Sequence, residues 1–329
     1  MVIDYFNKNN LHECLDIWNE DVGFIYPITE AMFTEKSVDC CYFCSEASFV
    51  IYEDNKVIGF IISKLFNNNP NIPKYQNTGW ISLIFVRRNY RKHGYGKMLL
   101  EKAEEVLLSK GVKTISVGSD IHNFFPGIPN DFDNTSDVFF KNCGYTIGYY
   151  THDLIKKLTS DDLVKYSSFN NNEYTLDDGT IKKVSLDYLK KEDEKNFLEF
   201  IKRTFFGRWY DEACEYFHNG EIVREYLLAR VDGKIVGFLR VNNCLIKETS
   251  YNINWRYRFN KLVGFGPLGV DTEYRHHGIA KMLLYYAISD SYRNGYTEAM
   301  IDWTGLVTYY QKLGFETWKC YQYAKKNLI

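Results

Sequence analysis

Val86-Arg-Arg-Asn-Tyr-Arg91-Lys-His-Gly94-Tyr-Gly96-Lys-Met-Leu-Leu100 lies without a gap on Val270-Asp-Thr-Glu-Tyr-Arg275-His-His-Gly278-Ile-Ala280-Lys-Met-Leu-Leu284. Each stretch carries an apolar, β-rich run (Trp80 to Val86, or Leu262 to Val270) through a glycine turn into an amphipathic run (Gly96 to Lys110, or Ala280 to Arg293). Leu99, Ala103 and Val106 recur on one face at helical spacing, and Leu100 and Leu107 widen the stripe. The register holds to Gly111 and Gly295, where a helix stop is expected. Another apolar run follows, Val112 to Val117 or Tyr296 to Asp302, so the pattern predicts strand–helix–strand twice.

The duplication extends outward. Upstream, Phe49 to Phe60 and Leu228 to Phe238 each read as a β-hairpin, two apolar runs about a short polar turn. Before these, Leu11 to Trp18 and Leu189 to Phe205 read as helical. Downstream, Phe139-Phe140-Lys-Asn-Cys-Gly144-Tyr145 matches Tyr309-Tyr310-Gln-Lys-Leu-Gly314-Phe315. The matches keep the same order, so the chain contains two copies of one domain. We expect domains at 1–158 and 175–329, joined by a polar, turn-rich linker at 159–174. Only the first copy has a long insertion, Gly118 to Asp137, placed to cap a pocket or to pack between the halves.

A glycine turn between strand and helix presents the unpaired first-turn amides together, at the positive end of the helix dipole, which suits an anionic phosphate. Gly94 and Gly96 lack a Cβ and allow close approach, and Ala280 keeps the last position small. Other phosphate motifs fit worse. The chain has no Gly-x-x-x-x-Gly-Lys-Ser/Thr loop, and Leu99 and Leu283 stand where a dinucleotide fingerprint needs its third glycine.

Composition narrows the choice further. A formal net charge of −2 gives no reason to expect a nucleic-acid partner. No apolar run reaches the roughly 20 residues of a membrane span, and the acidic N-terminus lacks the apolar stretch of a signal peptide, so the expected location is the cytoplasm, with no membrane partner. Of eight cysteines, Cys41-x-x-Cys44 resembles half a zinc site, but no second ligand pair is spaced to complete it, and no metal is expected.

Arg91-Lys92-His93-Gly94-Tyr95-Gly96 and Arg275-His276-His277-Gly278-Ile279-Ala280 resemble the Gln/Arg-x-x-Gly-x-Gly/Ala signature of the GNAT acyltransferase superfamily. Tyr309 to Phe315 is similar to its later aromatic-Tyr-x-x-x-Gly-Phe segment. The resemblance implies an α/β (α+β) fold of two GNAT-like domains. Each would be a mixed, mostly antiparallel twisted sheet with helices on both faces and a splayed central strand pair. It implies acyl-CoA, foremost acetyl-CoA, as donor and a small-molecule or peptide amine as acceptor. Val86 and Val270 would end their strands beside the acyl group, backbone groups of Leu268, Gly269 and Val270 would bind pantetheine and the acyl carbonyl, and the two turns would hold pyrophosphate.

Thioester aminolysis needs a neutral amine, a stabilised oxyanion and a proton for the thiolate. The resemblance makes Tyr310 the proton donor, with Tyr309 as alternative if the register shifts; the first copy has Phe140 there, without a hydroxyl. Catalysis is therefore expected in the C-terminal half. Asp302, at the end of the strand after the motif helix, is the candidate to take a proton or bind a cationic amine, and Asp120 is its looser counterpart. Trp303 departs from the family, many members of which have Asn there. The rival reading is a non-catalytic acyl-CoA-binding sensor or scaffold.

Overall fold

The computed structural model describes residues 1–131, 135–167, 173–176, 178–218, 224–243 and 254–328. In chain order the first half contains β1 (Val2–Tyr5), α1 (Leu11–Asp21), α2 (Glu30–Lys36), β2 (Phe49–Glu53), β3 (Lys56–Leu65), β4 (Thr78–Val86), α3 (Tyr95–Ser109), β5 (Thr114–Val117), β6 (Ile128–Pro129), α4 (Thr135–Asn142) and β7 (Thr146–Lys157). The second contains α5 (Ser160–Ser167), β8 (Glu173–Thr175), β9 (Ile181–Tyr188), α6 (Glu194–Thr204), α7 (Arg208–His218), β10 (Tyr226–Val231), β11 (Lys234–Asn242), β12 (Leu262–Val270), α8 (Ile279–Arg293), β13 (Glu298–Thr304), α9 (Val307–Gln311) and β14 (Glu316–Asn327). Within the stretch read as a linker, α5 is a helix packed against α8; residues 168–172 lie outside the described residues, as does Cys244.

Alternation along the strands clothes both faces of the sheet. Phe60 and Ile62 pack with Leu15, Trp18 and Phe33 of α1 and α2, whereas Ile61 faces Leu99, Ala103 and Leu107 of α3. In the second half Leu227 and Ala229 face α8, and Tyr226 and Leu228 face Phe197 and Ala213 of α6 and α7. Burying each large apolar side chain contributes roughly 1.5–3 kcal/mol. The hairpin glycines are matched for a reason: a Cβ on Gly59 would lie 2.7 Å from the Phe85 carbonyl oxygen, and one on Gly237 3.1 Å from that of Gly269.

Among the described residues the strands form one sheet, in the order β1-β2-β3-β4-β5-β14-β7-β13-β12-β11-β10-β9-β8, with β6 against β14. The centre of this order departs from two self-contained sheets. β14 is antiparallel to both β5 and β7, and β7 is antiparallel to both β14 and β13. Thus β5 and β7 run parallel with one position between them, and the last strand of the other half fills it. β13 and β14 leave the same gap, which β7 fills. Each half completes the other, and side chains of β7 arrive at the second half's strand ends.

Candidate active site

Both parallel central pairs splay. β4 pairs with β5 only over Thr78–Ile81, and β12 with β13 only over Leu262–Gly264, although β4 continues to Val86 and β12 to Val270. A wedge opens in each half beyond those points.

The two glycine turns have the same backbone. Lys92 and His276 have φ of 65° and 69°, and Gly94 and Gly278 have φ of 88° and 79°. A Cβ on either glycine would meet nothing within 4 Å, so conformation rather than crowding selects glycine there. Gly96 is different: its Cβ would make ordinary 3.5 Å contact with Phe139, which fits alanine at the matching position 280. The first helical bonds run from Met98 N to Gly94 O and from Met282 N to Gly278 O, both 3.0 Å. The amides of 95–97 and of 279 and 280 therefore have no acceptor within their helices, and neither helix has a side-chain cap or an acidic residue in its first turn. Arg91 Nε donates to Val86 O at 2.8 Å, and Arg275 Nε donates to Val270 O at 3.1 Å. The signature arginine thus ties its turn to the end of the central strand in both halves. His93 and His276 are exposed, His277 stacks on Tyr174 at 4.5 Å, Tyr95 donates to Glu53, and Ile279 is buried in the core. On β12, Leu268 and Val270 are half-buried. Gly269 is held by crowding, since a Cβ would come within 2.6 Å of Phe205 and 2.7 Å of Phe238.

The wedges differ. In the first half the insertion after β5 brings Phe124 and Phe125 into a buried cluster with Trp18, Tyr26, Phe85 and Trp255. Phe125 stacks on Trp255 at 4.9 Å, and Asn254 Nδ2 donates to Asn123 O at 3.0 Å, so the insertion packs between the halves. Phe140 is buried against Tyr145. In the second half the chain passes from β13 to α9 through exposed Gly305 and Leu306, without an insertion. A hollow of 580 Å³ lined by Arg224, Lys261, Asp290 and Tyr296 lies elsewhere, at the start of β12.

Asp120 is not the counterpart of Asp302. Pairing Thr78 with Thr114 in one half, and Leu262 with Glu298 in the other, puts Gly118 and Ser119 at the places of Asp302 and Trp303. Asp120 is fully buried in an ion pair with Lys64 at 2.5 Å and accepts from Ser82 Oγ at 2.9 Å. That arrangement is structural; removing one partner from such a pair costs about 3–5 kcal/mol.

Asp302 sits among charges. Burial first, then the Asp153 carboxylate, push its carboxyl up to about 8; Arg208 opposes the shift and Glu212 adds to it. Arg208 Nε donates to Glu212 Oε1 at 2.6 Å, and its guanidinium lies 4.7 Å from the Trp303 ring centre. Tyr310 is buried on α9 against Phe315 and Tyr309, and the more exposed Tyr309 meets it edge-on at 5.1 Å. Burial, then Tyr309 and Asp302, raise the Tyr310 hydroxyl above its ordinary value, so it keeps its proton at neutral pH. The structure thus gathers Tyr310 and Asp302 near one another, with Arg208, Glu212 and Asp153 as additional neighbours. These three carry little mark in the residue pattern. Arg208 and Glu212 have helical spacing, but nothing local ties α7 to the wedge, and the partners of Asp153, Trp303 and Tyr321, stand 150 and 168 positions away. Cys41 is exposed and Cys44 buried, and among the described residues no group of three metal-ligating side chains is present. No helix among them is long and apolar enough to cross a membrane.

Residues 11–125 match the profile of the acetyltransferase (GNAT) family, and residues 223–317 that of an acetyltransferase (GNAT) domain, together well over half of the chain. No curated protein matches at a significant level. Among solved structures, the glucosamine N-acetyltransferase region of a fungal multi-domain β-N-acetylglucosaminidase is similar over 99% of this chain, with a TM-score of 0.82 and 20% identity. The chain spans 38% of that protein's length. A GCN5-related N-acetyltransferase from Sphaerobacter thermophilus gives 0.64 at 14% identity, covering 99% of this chain and 95% of the other. A tandem GNAT protein from the clavulanic acid biosynthesis pathway gives 0.62 at 15% identity, covering 99% and 98%. At these identities the likeness is one of fold.

Proposed function

From the premise that this chain belongs to the GNAT acetyltransferase family, we propose that it is a cytosolic N-acetyltransferase that moves the acetyl group of acetyl-CoA to a primary amine in its C-terminal half. The observation that carries this reading is the asymmetry between two otherwise matched halves. Both have an open amide cradle, but only the second combines it with a tyrosine hydroxyl, a carboxylate at the wedge and no insertion filling the space.

When bound, acetyl-CoA supplies the thioester. The amides of 279 and 280 and the turn from Arg275 to Ala280 would hold its pyrophosphate. Backbone groups of Leu268–Val270, left unpaired by β13, would bind pantetheine, and the Val270 amide would stabilise the oxyanion. In its ionised form, which gains population as pH rises through about 8, Asp302 would draw the acceptor ammonium in and take its proton, and Tyr310 would protonate the departing thiolate. The carboxylates of Asp153 and Glu212 outnumber the Arg208 cation beside Asp302, which favours a cationic acceptor. The similarity to a region named for glucosamine makes an amino sugar the first acceptor to try.

The test is release of CoA thiol from acetyl-CoA with glucosamine and a panel of amines. Tyr310→Phe should lower kcat by roughly 100-fold or more with unchanged CoA affinity. Full retention of kcat removes Tyr310 from the mechanism. CoA binding without turnover on any amine instead favours the non-catalytic acyl-CoA-binding reading, for which the filled first wedge is the precedent within this chain.

A further inference from the structure

A bulge interrupts the pairing of β13 with β7 at the wedge. Ile301 faces Leu154 and Thr304 faces His152, so Asp302 and Trp303 together stand opposite Asp153 alone. Such bulges bend a strand and re-aim its side chains. Trp303 has a φ of 46°, a left-handed conformation costly for a bulky residue, which persists only when its surroundings impose it. Asp153 supplies that constraint. Its Oδ1 accepts from the Trp303 amide at 3.0 Å, its Oδ2 accepts from the Tyr321 hydroxyl at 2.7 Å, and its residue is 3% exposed. In the first half, Gly118 occupies the place of Asp302, and the register of β14 on β5 puts Tyr323 at the place of Asp153. The carboxylate pair therefore exists on one side of the molecule only.

We infer that Asp153, delivered by the exchanged strand of the N-terminal half, is a positioning residue of the C-terminal site: it holds the Asp302–Trp303 bulge and keeps its own carboxylate beside that of Asp302. The inference rests on the proposed acyl transfer for its purpose, but not for its test. Asp302 faces Asp153 from β7, Arg208 and Glu212 from α7, and Tyr310 from α9. Asp153 in turn faces Tyr321 and Lys319 from β14, and Asp131. Of these groups Asp153 is the largest charge acting on Asp302, so removing that charge without removing the side chain should let Asp302 ionise more readily.

Asp153→Asn keeps an oxygen for the Trp303 amide. We expect carboxyl-labelled aspartate NMR, with Asp302 assigned through Asp302→Asn, to show the midpoint of Asp302 falling by a unit or more in Asp153→Asn, with no substrate present. In turnover of acetyl-CoA with glucosamine, the acid limb of kcat/KM should fall by the same amount while KM for acetyl-CoA stays constant. Asp153→Ala, which also loses the amide acceptor, should lower kcat further than Asp153→Asn. An unchanged Asp302 midpoint in folded Asp153→Asn overturns the inference. If the wild-type protein acetylates no amine, the acyl-transfer reading falls, and the NMR titration still decides the role of Asp153.

Discussion

Asp302→Asn should stabilise this protein in alkaline buffer, the reverse of the usual effect of a substitution at a wedge of this kind. The carboxyl of Asp302 titrates near 8 in the folded chain and near about 3.9 in an unfolded one. Between those values the folded chain holds a proton that the unfolded chain has released. Stability is then fullest below pH 4 and falls as pH rises through 8, because the folded state must ionise a carboxyl it shelters from water. At roughly 1.4 kcal/mol per unit the whole difference would approach about 6 kcal/mol. Asp302 keeps partial exposure, however, so water solvates part of its charge, and on the order of 2 kcal/mol is the expected gain for the amide at pH 8.5. For a protein of this size that is a rise in Tm of roughly 3 °C. Differential scanning calorimetry of wild type and Asp302→Asn at pH 4.5 and pH 8.5 measures it. Near-equal Tm at the lower pH and a higher Tm for the variant at the upper pH are expected. A variant that loses stability equally at both values would refute the placement of an ionisable, sheltered carboxyl at this position.

Residues 1–158 expressed alone should fail to give a folded monomer, because the gap between β5 and β7 is filled by β14; open strand edges invite association. Co-expression with the remaining chain should recover a 1:1 complex by size-exclusion chromatography with light scattering, and a cooperatively folding monomer of either piece would contradict the exchange. Gly269→Ala should cost about 1–3 kcal/mol in urea unfolding, since its Cβ enters the space of Phe205 and Phe238; a loss below the detection limit would mean that those rings yield freely.

The repeat, the central strands, the motif helices and the glycine turns were legible in the residues because they are local. Leu262–Val270 was bounded to the residue, and the motif helices to within one or two. Apolar periodicity and a left-handed glycine depend on neighbours in sequence, and duplication doubled the signal. What the amino-acid order could not reveal was which strand lies beside which. Strand pairing beyond hairpins is set by long-range packing and leaves no local mark. Hence Asp120, three positions past the end of β5, looked like the looser counterpart of Asp302, although the register gives that place to Gly118 and commits Asp120 to Lys64. Likewise the insertion looked polar, while Phe124 and Phe125 bury themselves against Trp255, a contact between residues about 130 apart. The family and its two glycine turns are written in short stretches of this chain. The surroundings of Asp302, with Asp153 supplied by one half to the other, were decided only by the exchange of last strands between the two halves.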